Sequence, residues 1–297
     1  MASSPILQTS DLDEIQDTLF NASEEDLKDR SVLLALKVVN ICAHLAKLAG
    51  VMLFFFLIGR HPLRNMGEKE FPPITILALA LAAILASGPL ISLVQEWNMA
   101  IPFPANIADM AKDLEEQATR YSSAMIARAP WYDMVLTFFL VVVLASVWEE
   151  IVFRGLVQRM VEMSTKNKHF AVWVAAIMFS AIHFQFLSFL PRMLLGVILG
   201  YLYLYSRQLW VPILAHAFNN GALLIFAWLT AKDPTQETEL ATFPMNYIYG
   251  LTSFMAVSGI LYLVYRFYNG KRLGTDIHYH QGSSGGDGEG HPEGKPY

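Results

Sequence analysis

The sequence predicts an all-α integral membrane protein, a bundle of about seven or eight transmembrane helices. Three observations carry that prediction. Of 297 residues, 54% are hydrophobic and only 16% charged, whereas a soluble domain of this size carries about a quarter charged residues. The apolar residues are collected in long runs, several of them of membrane-spanning length. Polar and charged residues fall between the runs and at both ends.

The chain opens on an acidic, polar stretch, 1–30, in which 9–30 reads as a short surface helix and a linker. A cleaved signal peptide would start with positive charge, so the first apolar segment, about 32–59, is expected to serve as its own insertion signal. That segment carries Lys37, Asn40, His44 and Lys47 at spacings of three or four residues, which places them on one helical face. They read as an interfacial helix start with snorkelling lysines, the alternative being a polar stripe turned to the bundle interior.

The second segment, about 72–95, starts at Pro72 and Pro73, which suit a first helical turn; Gly88–Pro89 is expected to kink it. Residues 97–130 are amphipathic and of mixed charge, an extramembrane helix lying along the surface. The third segment, about 131–153, ends in Glu149 and Glu150 and continues as helix through VQRMVEM. The fourth, about 169–188, carries His183, and Pro191 marks a break before the fifth, about 192–206, where Gly196 and Gly200 have a spacing that permits close helix approach. The sixth, about 210–230, carries His216 and Asn220, and the seventh is about 243–266. The Gly-rich end, 269–297, is expected to be disordered.

Basic residues follow segments one, three and seven and precede segment six: Arg60, Arg64 and Lys69; Arg159, Lys166 and Lys168; Arg266, Lys271 and Arg272; and Arg207. The positive-inside rule puts these loops in the cytoplasm, with the C-terminus inside and the N-terminus outside. The net charge is −5 and there is no basic, aromatic-studded surface segment, which argues against nucleic acid as a partner. Cys42 is the single cysteine, so neither an intrachain disulfide nor a cysteine-based zinc cluster can form.

Ionisable groups inside apolar runs are costly and mark function. Glu150 and Arg154 are spaced to pair across one helical turn, while Glu149 points about 100° away from Glu150. One carboxylate can thus be held by arginine while its neighbour is free for general acid–base work. His216 and Asn220 share a helical face and can both donate to a developing oxyanion; His183 could orient water or move a proton. At about 1.5 Å rise per residue, Glu149 lies ~15 Å from Arg159, His216 ~14 Å from Arg207 and His183 ~23 Å from Lys168, compatible with one layer in the cytoplasmic half of a bilayer. Each feature has a structural explanation of its own, an interfacial charge cluster or an interhelical hydrogen bond. Their joint occurrence on three apolar segments points to chemistry.

EEIVFR (Glu149 to Arg154), FSAIH (Phe179 to His183) and HAFNN (His216 to Asn220) resemble the motifs EExxxR, FxxxH and HxxxN of the CPBP family, the CAAX-processing and bacteriocin-processing intramembrane proteases that include type II CAAX prenyl endopeptidases. The resemblance covers about residues 130–230. It implies a membrane protease domain over 31–268, located in a bacterial inner (cytoplasmic) membrane, with Glu149 activating water, His183 positioning it, His216 and Asn220 stabilising the oxyanion, and Glu150 and Arg154 supporting them. The implied partners are a peptide or protein substrate in the membrane and the bilayer itself. No HExxH motif is present; the reading leans to no cofactor, with zinc on Glu149, His183 and His216 as the metal-dependent option. Two other classes compete: a non-proteolytic interaction protein of the bacteriocin self-immunity type, and a transporter or proton relay.

Overall fold

The computed structural model describes residues 30–57, 71–126, 131–230 and 247–283; the expectations for 1–29 and for the loops 58–70 and 231–246 lie outside them. Among the described residues the chain is helical throughout, with α1 at Arg30–Leu57, α2 at Ile74–Met99, α3 at Ala105–Ile126, α5 at Lys168–Ala181, α6 at Phe189–Ser206, α7 at Trp210–Thr230 and α8 at Tyr247–Ser283. Between α3 and α5, α4 runs unbroken over Trp131–Thr165. Six helices, α1, α2, α4, α6, α7 and α8, are long and apolar enough to cross a membrane, and the chain folds as an all-α membrane protein. Within the amphipathic 97–130 segment α3 takes up Ala105–Ile126, and its composition is too polar to span.

α2 is the hub, packing against α6, α7 and α8. Ala80 and Ala83 on α2 bring it close to Leu199 and Leu202 of α6 and Val211 and Ala215 of α7, all buried in one core. α5 packs on α6 through Val172 and Ala176. The two glycines set that distance. A Cβ on Gly196 would lie 3.1 Å from the Ala176 backbone, and one on Gly200 would lie 2.9 Å from a Val172 methyl. The Gly196–Gly200 spacing is therefore a close-approach surface, as its sequence implies.

Several sequence expectations change. The fourth apolar segment, expected over 169–188, is only the 14-residue helix α5, which ends at Ala181. Phe184 then takes a left-handed backbone conformation, φ 54°, and a 3-10 turn, Phe186–Ser188, leads into α6. His183 thus sits in a turn and not on a helix. The turn's backbone is satisfied by α2 side chains: Gln95 donates to the Leu187 carbonyl (2.8 Å), Asn98 donates to the Phe186 carbonyl (2.9 Å), and the Leu190 amide donates back to Asn98 (2.8 Å). Pro191 sits inside the first turn of α6 rather than before it, where a missing N–H costs nothing.

The second change concerns α1. The first part of its polar stripe faces the bundle interior and does not snorkel, while Lys47 at its end stays exposed. Lys37, 1% exposed, pairs with Asp133 of α4 at 3.2 Å. Asn40 donates to the Tyr121 hydroxyl on α3, and burial pushes the Tyr121 phenol up to about 12. Further along, the His44 ring stacks 5.7 Å from that of Trp148, and the Lys47 ammonium lies 4.7 Å above the same indole. A lone lysine could have snorkelled; Asp133 is what makes burial the better outcome. At the other end, α8 carries helix to Ser283, past the expected boundary at 269.

Replacing Gly200 by valine puts methyl groups into the Val172 contact. It should destabilise the fold by about 1–3 kcal/mol, as overpacking does, and lower the melting temperature of the detergent-solubilised protein in a thermal scan.

Candidate active site

α4 supplies the glutamate pair. Its helix alternates between α and π geometry: Phe139–Leu144 and Ile151–Gln158 are π-helical and flank the short α-helical stretch Ala145–Glu150. π-helical turns inside α-helices are frequent at functional sites. Within the first of them the Val141 carbonyl accepts a hydrogen bond from the Asn220 amide at 3.2 Å.

Glu150 is fully buried and Arg154 is 1% exposed. The guanidinium donates to Glu150 Oε1 at 2.8 Å and, with its other terminal nitrogen, to the Gly196 carbonyl at 3.0 Å. It also lies 5.0 Å over the Phe179 ring. One turn on, Gln158 donates to the Gly200 carbonyl at 3.1 Å. α4 thus grips α6 at the two positions where glycine brings backbone carbonyls within reach.

α7 supplies His216, which meets both glutamates. Its Nδ1 is 2.9 Å from Glu150 Oε1 and its Nε2 is 3.8 Å from Glu149 Oε2. Glu150 is tied to Arg154, and an ionised carboxylate only accepts. Nδ1 therefore carries the proton in that contact, and Nε2 is the atom turned toward Glu149. Glu149 is nearly buried, 7% exposed.

His183 reaches the cluster through Phe179. Its Nδ1 lies 2.9 Å from the Phe179 carbonyl. A carbonyl can only accept, so Nδ1 donates and Nε2 is left with its lone pair. The Phe179 ring sits edge-on to His183 at 5.4 Å, to His216 at 5.7 Å and to Phe153 at 5.3 Å. Phe179 is the aromatic wall that touches Arg154, His183 and His216 together.

The structure therefore gathers Glu149, Glu150, Arg154 and His216 directly, and joins His183 to them through Phe179. Asn220 stands on α7 one turn from His216, with Asn219 donating to its side-chain oxygen at 3.3 Å. Among the described residues no three His, Cys, Asp or Glu side chains are placed together as a metal-holding group.

Three neighbours were not read from the sequence. Gln158, four residues after Arg154, repeats its grip on α6 and could have been found by that spacing. Trp148 carries Lys47 and the His44 ring of α1. Arg192 on α6 donates to Gln185 at 2.6 Å, and Gln185 and Ser188 both donate to Glu115 of α3. This chain fastens the amphipathic helix to the His183 turn, and nothing in local sequence connects its members.

A family model described as type II CAAX prenyl endopeptidase Rce1-like matches residues 130–222. No curated protein and no solved structure matches the chain.

Replacing Arg154 by methionine leaves Glu150 without its compensating cation. A broken buried pair costs about 3–5 kcal/mol, so this variant should unfold at a much lower denaturant concentration than the parent. Arg154→Lys should rescue little, since one ammonium cannot serve Glu150 and the Gly196 carbonyl in the same fork.

Proposed function

We propose that the chain is an intramembrane protease of the CPBP family, the family model matching residues 130–222, and that it hydrolyses peptide bonds of membrane-associated or lipidated substrates with a water activated by Glu149. The observation that carries the proposal is the contact of His216 with both members of the glutamate pair, 2.9 Å to Glu150 and 3.8 Å to Glu149. Charges from two helices are brought together in an apolar layer around an arginine, an arrangement too costly to be incidental.

In the proposed reaction Glu149 takes a proton from water, and the hydroxide oxygen bonds to the scissile carbonyl carbon. His183, with Nδ1 committed to the Phe179 carbonyl, holds that water through its Nε2 lone pair. The negative charge moves to the carbonyl oxygen. There His216, protonated on both nitrogens between the two carboxylates, donates from Nε2, and Asn220 donates the amide hydrogen not committed to Val141. Collapse breaks the C–N bond, and the proton held by Glu149 passes to the leaving amine. Glu150 and Arg154 take no proton; they fix the position of His216 through its Nδ1. No step is assigned to a metal.

The same proposal places the basic ends of α4, α6 and α8 at the cytoplasmic face of a bacterial inner membrane, following the positive-inside rule. Water and peptide then meet within the bilayer.

Glu149→Gln keeps the shape of the side chain and removes the base. It should lower turnover of a cleaved peptide by about 100-fold or more with an unchanged melting temperature, and His183→Ala should do likewise. A comparison of cleaved N-termini across cells carrying the parent or Glu149→Gln identifies the substrates. Full cleavage by both variants would end the proposal.

A further inference from the structure

Away from the glutamate cluster, α5, α6 and α8 line an open cavity of about 430 Å³. Two of its lining residues, Lys168 and His169, open α5. Four tyrosines form its walls: Tyr201 and Tyr205 from the last turns of α6, and Tyr262 and Tyr265 from α8. Tyr205 lies edge-on to Tyr265 at 5.3 Å, and the Tyr201 hydroxyl is 3.2 Å from His169 Nδ1. Arg266 adjoins the rim, its guanidinium 6.0 Å from the Tyr262 ring centroid.

The place of this cavity in the fold is informative. It lies where α5 begins, α6 ends and the apolar part of α8 runs out, the end of the bundle that also carries Arg159, Lys166 and Arg207. Tyrosines gather at membrane–water interfaces because their rings are apolar and their hydroxyls wet. None of the lining residues is a carboxylate. Glu162, the acid in electrostatic reach of Lys168, is already engaged by Arg207 at 2.6 and 2.8 Å. The first amides of α5 do not supply the cavity either, since Asn167 accepts from His169 and Phe170. Positive side chains and tyrosine hydroxyls are what the cavity offers a ligand.

Toward the membrane the same helix faces turn apolar. Trp173 and Ile177 lie at four-residue steps after His169 on α5 and are exposed; on α8 the exposed Phe254 lies two turns from Tyr262 on the same face. A ligand seated here has a charged end among cations and hydroxyls and a long apolar part along two lipid-facing helices. We propose that this cavity is a binding site for the headgroup of an anionic phospholipid, with its acyl chains lying along α5 and α8. The phosphate meets Lys168 and Arg266, and the tyrosine hydroxyls bond its oxygens.

The test is lipid binding by native mass spectrometry of the full chain in detergent, with phosphatidylglycerol and phosphatidylcholine as probes. Each basic residue at an anionic surface is worth roughly a fivefold preference, so the parent should favour phosphatidylglycerol at least about fivefold. Lys168→Gln/Arg266→Gln should bring the two lipids near parity with an unchanged melting temperature. Lys112→Gln, which removes an exposed cation of α3, should keep the preference. Tyr201→Phe/Tyr265→Phe, which keeps both cations, should weaken phosphatidylglycerol binding alone. The site is overturned if the parent shows no preference, if both double variants bind as the parent does, if Lys112→Gln loses as much, or if millimolar inorganic phosphate displaces the lipid.

Discussion

Two carboxylates side by side in an apolar layer are the constraint from which the arrangement of this bundle follows. Desolvating one carboxylate costs several kcal/mol, and a second beside it adds repulsion. Glu150 is compensated twice, by Arg154 from one turn along α4 and by His216 from α7. Arg154, buried in turn, needs further acceptors and finds one in the Gly196 carbonyl of α6. Each compensation recruits another helix. α4, α6 and α7 are held in register by polar contacts that have no cheaper alternative in a medium without water.

The backbone irregularities serve the same end. The Val141 carbonyl, inside the π-helical stretch Phe139–Leu144, accepts from Asn220 and ties α4 to α7 at that point. On α6, glycine at 196 and 200 strips away the side chains that would shield the carbonyls used by Arg154 and Gln158. The close approach of α5 and the reach of the α4 side chains are two uses of the same two residues. Any larger side chain there would weaken the helix contact and the ion-pair support together.

Much of the fold was legible because a membrane imposes a length and a hydropathy on each spanning helix, and long apolar runs leave little freedom in reading them. Part of the site was legible for the same reason: Glu149, Glu150, Arg154, His183, His216 and Asn220 are polar residues where polar residues are expensive, and their helical spacing announced the Glu150–Arg154 pair. What could not be read depended on distant partners. The stripe of α1 looks like snorkelling cations until Asp133 and Tyr121 are seen to face Lys37 and Asn40. The end of α5 at Ala181 is not marked by hydropathy, since ILE–HIS–PHE at 182–184 continues a largely apolar run; it is set by hydrogen bonds from α2. The Arg192–Gln185–Glu115 chain spans three elements, and no single window of sequence contains it.

The turn after α5 bears on how far the motif-bearing segment is a unit. Irregular backbone at membrane depth is tolerated only where protein replaces water as its partner, and here the partners are Gln95 and Asn98 of α2. Both lie outside 130–222, the stretch that carries the family likeness. His183 therefore holds its place by courtesy of a helix that contributes no motif of its own. Modularity ends there: a graft of the matched segment into another helical scaffold would transfer the glutamates, their arginine and His216 with their mutual contacts, yet leave the loop bearing His183 with orphaned carbonyls and no fixed path. Drift at positions 95 and 98 is accordingly constrained by hydrogen-bond inventory, at residues that no comparison of motifs would single out.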